Sequence, residues 1–122
     1  MSNCTTFVTL LGMLAKHYNL VLFDNCGWGL NTRLTGQTYG LTNEAGAITW
    51  LTEFVTTAID HMDLPDKFLL AAHSFGGLLA SLYASERPDR VAALFLLSPV
   101  GTETYDPTDY DPMAYNEQMA PN

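Results

Sequence analysis

The chain has 122 residues, of which 48% are hydrophobic, and this length suits one small globular domain. Its formal net charge is -8, and all five Lys and Arg residues lie at or before Arg90, which argues against nucleic acid or an anionic membrane as a partner. The two cysteines, Cys4 and Cys26, form neither a disulfide framework nor a metal-binding spacing, so the sequence predicts a reducing, intracellular and cytoplasmic location.

The first predicted element is an amphipathic helix over about residues 5–17. Apolar residues recur in it at helical spacing, among them Phe7, Leu10 and Leu14. The same region resembles the apolar core of a signal peptide, but no positive charge precedes it and no small-residue cleavage site follows it, so we do not expect targeting. No apolar run is long enough to span a bilayer, so no transmembrane segment is expected.

A strand is predicted at Leu20–Phe23, and it ends at Asp24. A glycine-rich loop over residues 25–41 follows it. A second helix is predicted over about residues 43–61. Its apolar residues form a stripe along one side, made up of Ile48, Leu51, Val55, Ile59 and Met62. Asp24 ends a strand at the edge where ligands gather in open α/β sheets, although a structural role in the turn is the simpler interpretation.

The most informative stretch is Lys67–Gly77. An uncharged apolar run over Phe68–Ala72 ends just before Ser74, and a leucine-rich helical pattern begins immediately after the serine. This order predicts a strand, a sharp turn and a helix, with Ser74 at the apex. Small residues on either side, Ala72 and Gly76, are expected because the backbones of the strand and the helix come close together there.

The helix after the turn is predicted over Phe75–Glu86, with Pro88 stopping it, and the next strand over Val91–Leu97. The three predicted strands, the second of which begins at Phe68, are continuous apolar runs, which is typical of a sheet buried on both faces. Helices alternate with these strands, so the strands are expected to be parallel. The sequence therefore predicts an α/β fold with a parallel sheet of about three strands flanked by about three helices.

The composition changes from residue 98 onward, where the last 25 residues hold four prolines, five acids and no basic residue. This predicts an irregular, acidic, proline-rich segment over residues 102–122, separate from a core over residues 1–101. A calcium loop on Asp106, Asp109 and Asp111 is disfavoured, because the required glycine and bidentate glutamate are missing. No metal or other cofactor is expected.

The order and spacing of these elements resemble the α/β-hydrolase superfamily, with the lipase, esterase and acyltransferase-like members closest. Ala-His-Ser-Phe-Gly-Gly at residues 72–77 resembles the nucleophile elbow, with alanine in place of the first glycine of Gly-x-Ser-x-Gly. Residues 20–33 resemble the strand and turn two elements earlier, and residues 87–98 resemble the next helix end and strand. The resemblance implies the central part of a hydrolase core, with residues 102–122 at the start of a lid.

The resemblance implies that Ser74 is the nucleophile and that the backbone N–H of Phe75 is one donor of the oxyanion hole. In the family the acid and the histidine follow the serine, whereas His17, His61 and His73 all precede Ser74. His73 is disfavoured as the base, because neighbouring residues on a sharp turn point apart. We therefore expect the chain alone to be inactive, with the sheet and the catalytic groups completed by missing segments or by a protein partner.

Two functions stay open at this stage. The first is a serine hydrolase acting on a small ester or acyl, lipid-like substrate, complete only when the missing segments are supplied. The alternative is a non-catalytic, hydrolase-like structural subunit of a larger assembly that keeps the elbow for packing. A flavodoxin-like binding domain also fits the alternation of strands and helices, but it leaves the elbow unexplained.

Overall fold

The fold comes from a computed structural model, which describes residues 7–29, 31 and 44–102. In chain order these residues form α1 (Val8–Leu14), α2 (Glu44–Asp60), β1 (Phe68–His73), α3 (Phe75–Glu86) and β2 (Val91–Leu97). The predicted α/β class is confirmed. Most of the predicted glycine-rich loop lies outside the described residues, as do the lid-like segment after residue 102 and its disfavoured calcium loop.

Strands β1 and β2 form a parallel pair, and α3 connects them. Leu70 pairs with Leu94, and His73 pairs with Leu97. In parallel strands joined by a crossover helix, the carboxyl ends of both strands lie at the same edge of the sheet. The residues that follow His73 and Leu97 are therefore neighbours at that edge.

One face of the sheet carries the core. Helix α3 packs on both strands, and α2 packs on α3. The central core cluster is formed by the buried side chains of Val55 and Ile59 of α2 and of Leu79 and Tyr83 of α3. The ring of Phe68 in β1 lies 6.2 Å from the ring of Tyr83, centroid to centroid. Val55 and Ile59 belong to the apolar stripe predicted for the second helix, so its core-facing side is confirmed.

The opposite face of the sheet is exposed within the described part of the chain. Along both strands, half-buried and exposed residues largely alternate. Leu69 is 49% exposed, Phe95 57% and Leu97 42%. At the edge of this face, the ring of Phe7 contacts the ring of His73 edge-on at a centroid distance of 5.2 Å. The sequence predicts a sheet buried on both faces. Within the described part of the chain, only the face that packs against α3 is covered.

The predicted strand at Leu20–Phe23 is wrong in the described structure. The sheet there has two strands, and residues 19–25 have no strand pairing. Val21 is 57% exposed and Leu22 is 45% exposed. A strand forms only when a neighbour pairs with its backbone N–H and C=O groups, and no described segment pairs with these residues.

The described helices differ in how they are stabilised. Helix α1 ends at Leu14, before the predicted end at about residue 17. None of its residues is buried, so tertiary packing does not stabilise further turns of the helix. After α1 the backbone continues in turns, with the Tyr18 N–H donating to the Leu14 carbonyl at 3.0 Å. Helix α2 has 17 residues and packs through its apolar stripe. None of the helices in the described ranges combines the length and apolar character that crossing a bilayer requires.

Tyr83 is the largest fully buried side chain, and its hydroxyl has no hydrogen-bond partner among the described residues. Burial raises the pKa of the Tyr83 phenol above its ordinary value of 10.0, because the phenolate loses hydration in the core. Arg90 opposes this shift, and the carboxylate of Asp60 adds to it. The folded chain therefore favours the neutral phenol.

We expect Tyr83→Phe to raise the free energy of unfolding by about 1 kcal/mol, because it removes an unpaired buried hydroxyl and keeps the ring. Because the folded-state pKa of Tyr83 is raised, the unfolded chain releases this proton first, so the wild-type chain loses stability as the pH rises above 10.0. The phenylalanine variant lacks this loss. Urea unfolding of the wild-type chain and of Tyr83→Phe at about pH 8 and about pH 11 measures this loss of stability. A stability difference that does not widen at the higher pH would contradict the expectation.

Candidate active site at the elbow

Ser74 lies between the last residue of β1 and the first residue of α3, as the sequence predicts. Its backbone angles are φ 55° and ψ −124°, a conformation that residues with a side chain rarely adopt. Such a residue costs on the order of 1–3 kcal/mol and persists only where its surroundings hold it. The strain supports the interpretation of residues 68–86 as strand, sharp turn and helix with the serine at the apex.

Hydrogen bonds hold the Ser74 backbone on both sides. The Ser74 N–H donates to the carbonyl of Leu97 at 3.0 Å. The Ser74 carbonyl accepts the N–H of Gly77 at 2.9 Å and the N–H of Val100 at 3.1 Å. Each such bond contributes about 0.5–1.5 kcal/mol net, so the three together are large enough to offset the strain at Ser74.

The closest approach of helix and strand segments lies one residue later than the sequence suggests. A Cβ added at Gly76 would meet the Cβ of Ala72 at 3.9 Å, an ordinary contact. A Cβ added at Gly77 would meet the Cβ of Pro99 at 2.6 Å and its Cα at 3.0 Å, which is too close. The expected need for small residues at Ala72 and Gly76 stays a prediction, although a single Cβ would fit at Gly76. Gly77 is the position that requires glycine, because Pro99 crosses over it.

The reactive atom and its expected oxyanion donor lie at the start of α3. Ser74 is half-buried, and its side chain makes no capping hydrogen bond to the helix. Among the described residues, the N–H of Phe75 has no hydrogen-bond partner outside its helix. The first turn of α3 contains no acidic residue, so the partial positive charge at this helix end is not neutralised locally. The Ser74 hydroxyl and the Phe75 N–H therefore belong to adjacent residues at the edge of the sheet where β1 ends, and neither is used in a capping contact among the described residues.

All three histidines of the chain are described, and none makes a hydrogen bond to the Ser74 hydroxyl. His73 is exposed and its ring packs edge-on against Phe7. One ring nitrogen of His61 bonds to the Thr57 carbonyl within its own helix at 2.8 Å. His17 is exposed after α1. That the chain supplies no general base for Ser74 stays a prediction.

Asp24 has a structural role in its turn, which was the simpler interpretation. Gly29 has φ +56°, and its missing Cβ leaves the space that the Asp24 carboxylate occupies. The carbonyl of Asp24 accepts a hydrogen bond from the side-chain amide of Asn31. Cys26, within the same turn, is buried and is a free thiol. These local contacts close the turn.

A cleft of about 460 Å³ lies between α2 and the C-terminal half of α3. Its lining includes Thr52, Thr56 and Glu86, and it does not include Ser74 or Phe75. Ser74 lies at the opposite end of α3, so the cleft is separate from the elbow. Within the described ranges, no group of three or more His, Cys, Asp or Glu side chains is arranged to hold a metal ion.

A strained serine between a parallel strand and a helix is the geometry of a nucleophile elbow, which defines the α/β-hydrolase class. Residues 7–121 match the family model described as alpha/beta hydrolase fold. The chain therefore belongs to the α/β-hydrolase fold family, and the resemblance drawn from residues 72–77 and their flanking elements is confirmed.

Curated relatives match most of this chain. It is 33% identical over 88 residues to a probable 1-acylglycerol-3-phosphate O-acyltransferase from Oryza sativa subsp. japonica, covering 72% of this chain and 20% of that protein. It is 34% identical over 97 residues to Abhydrolase domain-containing protein lid-1 from Caenorhabditis elegans, covering 78% of this chain and 25% of that protein. It is 30% identical over 101 residues to a 2-hydroxy-6-oxo-2,4-heptadienoate hydrolase from Pseudomonas putida, covering 83% of this chain and 33% of that protein. No solved structure matches at a comparable level of significance.

Sequence reasoning missed the residues that hold the elbow from the side of β2. Pro99 and Val100 both contact the elbow, yet neither belongs to the serine motif. No local sequence signal marks them, because their contact depends on the register of the two parallel strands, which places Ser98 beside Ser74.

Proposed function

We propose that this chain contributes the nucleophile of a serine hydrolase that acts on an ester or acyl, lipid-like substrate. The observation that carries the proposal is the strained φ of Ser74 at the junction of β1 and α3, with an open hydroxyl. A strain of this kind is retained where it serves to present a side chain. The printed names of the relatives, an acyltransferase and a hydrolase among them, favour acyl chemistry.

In the proposed reaction, the Ser74 oxygen attacks the carbonyl carbon of the substrate, and its proton passes to a general base. The negative charge that develops on the carbonyl oxygen is stabilised by the N–H of Phe75 and by the dipole of α3. The alcohol then leaves with a proton from the same base, and the acyl group stays on Ser74 until water or another acceptor removes it.

The general base and its acid are proposed to lie outside these 122 residues. None of the three histidines bonds to the Ser74 hydroxyl, and the chain spans only 20–33% of the length of the three relatives described above. A segment of the same gene product or a protein partner would supply both groups and would also pair with the outer edges of β1 and β2, which no strand among the described residues pairs with. The intracellular location inferred from the two cysteines stays a prediction.

Chemical rescue with free imidazole tests this function. We expect the chain to hydrolyse a short-chain p-nitrophenyl ester faster by about tenfold or more when imidazole is added, because a positioned base contributes about a hundredfold to ten-thousandfold and free imidazole replaces part of it. The increase is measured as the difference from Ser74→Ala under the same conditions. Ser85→Ala, at an exposed position near the other end of α3, is the matched control and keeps the full rate. Equal rates for the chain and Ser74→Ala would contradict the proposal.

The alternative is a non-catalytic, hydrolase-like subunit. It is favoured by the exposed sheet face at Leu69, Phe95 and Leu97, which a partner could cover. Under this alternative, Ser74 stays unreactive even in the complete assembly. A fluorophosphonate probe applied to that assembly distinguishes the two functions, since modification of Ser74 supports the hydrolase and an unmodified Ser74 supports the subunit.

A further inference from the structure

A short turn after β2, residues 98–101, lies against the elbow and is here named the β2 turn. Because His73 pairs with Leu97, the next residues along the two strands, Ser74 and Ser98, are neighbours at the same edge. Both have positive φ angles, 55° at Ser74 and 42° at Ser98. They are the two non-glycine residues with positive φ in the described part of the chain. Unusual backbone geometry is thus concentrated where the two strands end.

The β2 turn binds the elbow through the backbone. The N–H of Val100 donates to the carbonyl of Ser74, and the carbonyl of Leu97, just before the turn, accepts the N–H of Ser74. The left-handed conformation of Ser98 lies between these two contacts. Leu97 and Val100, on either side of the segment that begins at Ser98, thus bond to the N–H and to the carbonyl of the same residue, Ser74.

The β2 turn also interlocks with the first residues of α3. The ring of Pro99 occupies the space above Gly77, and a Cβ at Gly101 would meet the Leu78 side chain at 2.9 Å. Gly101 itself has φ +85°, so the first and the last residue of the β2 turn both have positive φ. Contacts on two levels, backbone and side chain, therefore fix the position of the turn relative to Ser74.

We propose that the β2 turn is a positioning element for the nucleophile and that Ser98 is its positioning residue. The positive φ of Ser98 directs the Val100 N–H to the Ser74 carbonyl, and this bond keeps Ser74 in its own strained conformation. The consequence for reactivity rests on the proposed hydrolase function. The consequence for backbone order does not depend on it.

Substitutions at Ser98 test the proposal, because residue types differ in how readily they adopt positive φ. Ser98→Gly accepts φ +42° and is the conservative variant, whereas Ser98→Val disfavours it. We expect the Val100 amide to exchange its hydrogen about tenfold faster in Ser98→Val than in Ser98→Gly. The amides of Val55 and Ile59 in α2 keep their protection in both variants. Ser98→Ala, a milder change with the same expected direction, replaces Ser98→Val if that variant does not fold.

The second readout is the rate at which a fluorophosphonate probe modifies Ser74 in the presence of imidazole. In that reaction the serine oxygen bonds to phosphorus, fluoride leaves, and the hydroxyl proton passes to imidazole. We expect this rate to fall about tenfold in Ser98→Val and to stay near the wild-type rate in Ser98→Gly. Equal Val100 exchange in the two variants overturns the positioning role. If wild-type Ser74 takes no probe, the hydrolase function fails, and amide exchange still decides the role of Ser98.

Discussion

Gly77→Ala is expected to lower the free energy of unfolding by about 1–3 kcal/mol, the usual cost of inserting an extra methyl group into a close contact. The physical reason is the distance of 2.6 Å between the new Cβ and the Cβ of Pro99. The neighbouring atoms belong to a proline ring and its backbone, which cannot move aside as a flexible side chain can. Urea unfolding monitored by circular dichroism measures the loss.

Gly76→Ala is the matched control for this change. It stands one residue earlier in the same helix, and its Cβ would make only an ordinary contact with Ala72. We expect its stability to stay the same or to rise by up to about 1 kcal/mol, because alanine favours the helix more than glycine does. Equal losses in the two variants would show that the close approach is not at Gly77.

Ser74→Gly is expected to stabilise the chain by about 1 kcal/mol and to abolish its ester hydrolysis. Glycine adopts φ +55° without the strain that a side chain brings, and part of this gain is offset by the greater freedom of glycine in the unfolded chain. The hydroxyl that would attack the substrate is lost at the same time. Urea unfolding and the imidazole-dependent hydrolysis of a p-nitrophenyl ester measure the two effects.

Ser74→Ala separates the two consequences. It removes the hydroxyl but keeps a Cβ, so we expect ester hydrolysis to be lost while stability stays within about 0.5 kcal/mol of the wild type. A glycine variant no more stable than the alanine variant would contradict the claim that Ser74 is strained. Strain kept at the expense of stability is the pattern expected of a functional position.

The sequence predicts the second half of the fold closely because local signals define each boundary there. Helix α3 begins and ends at Phe75 and Glu86 as predicted, since the sharp turn precedes it and Pro88 follows it. Strand β2 also matches its predicted range, and β1 extends one residue further, to His73. Short apolar runs between such markers leave little freedom of assignment.

The first half is less predictable because its structure depends on distant partners. The apolar run at Leu20–Phe23 has the composition of a strand, but composition does not reveal whether another segment pairs with it. The same limit applies to the outer face of the sheet. Leu69 and Phe95 are as apolar as core residues, and only the arrangement of the other elements determines whether they are covered.

The candidate site likewise has a part that local sequence predicts and a part that depends on distant segments. Ser74 and Phe75 are adjacent in a local motif, so the sequence is enough to place them at the elbow. The contact between Val100 and Ser74 depends on the register of β1 and β2, which no local pattern specifies. The close approach of Pro99 to Gly77 depends on that register as well, and for this reason the sequence does not single out Gly77 as the position that requires glycine.

The most direct test of the central claim is to locate the adduct by peptide mass spectrometry after fluorophosphonate treatment of the chain with imidazole. If Ser74 is the nucleophile presented by the elbow, the adduct forms on the half-buried Ser74, and exposed serines such as Ser85 and Ser98 stay unmodified. An adduct spread over several serines at similar rates, or an unmodified Ser74, would show that the elbow does not present a reactive hydroxyl.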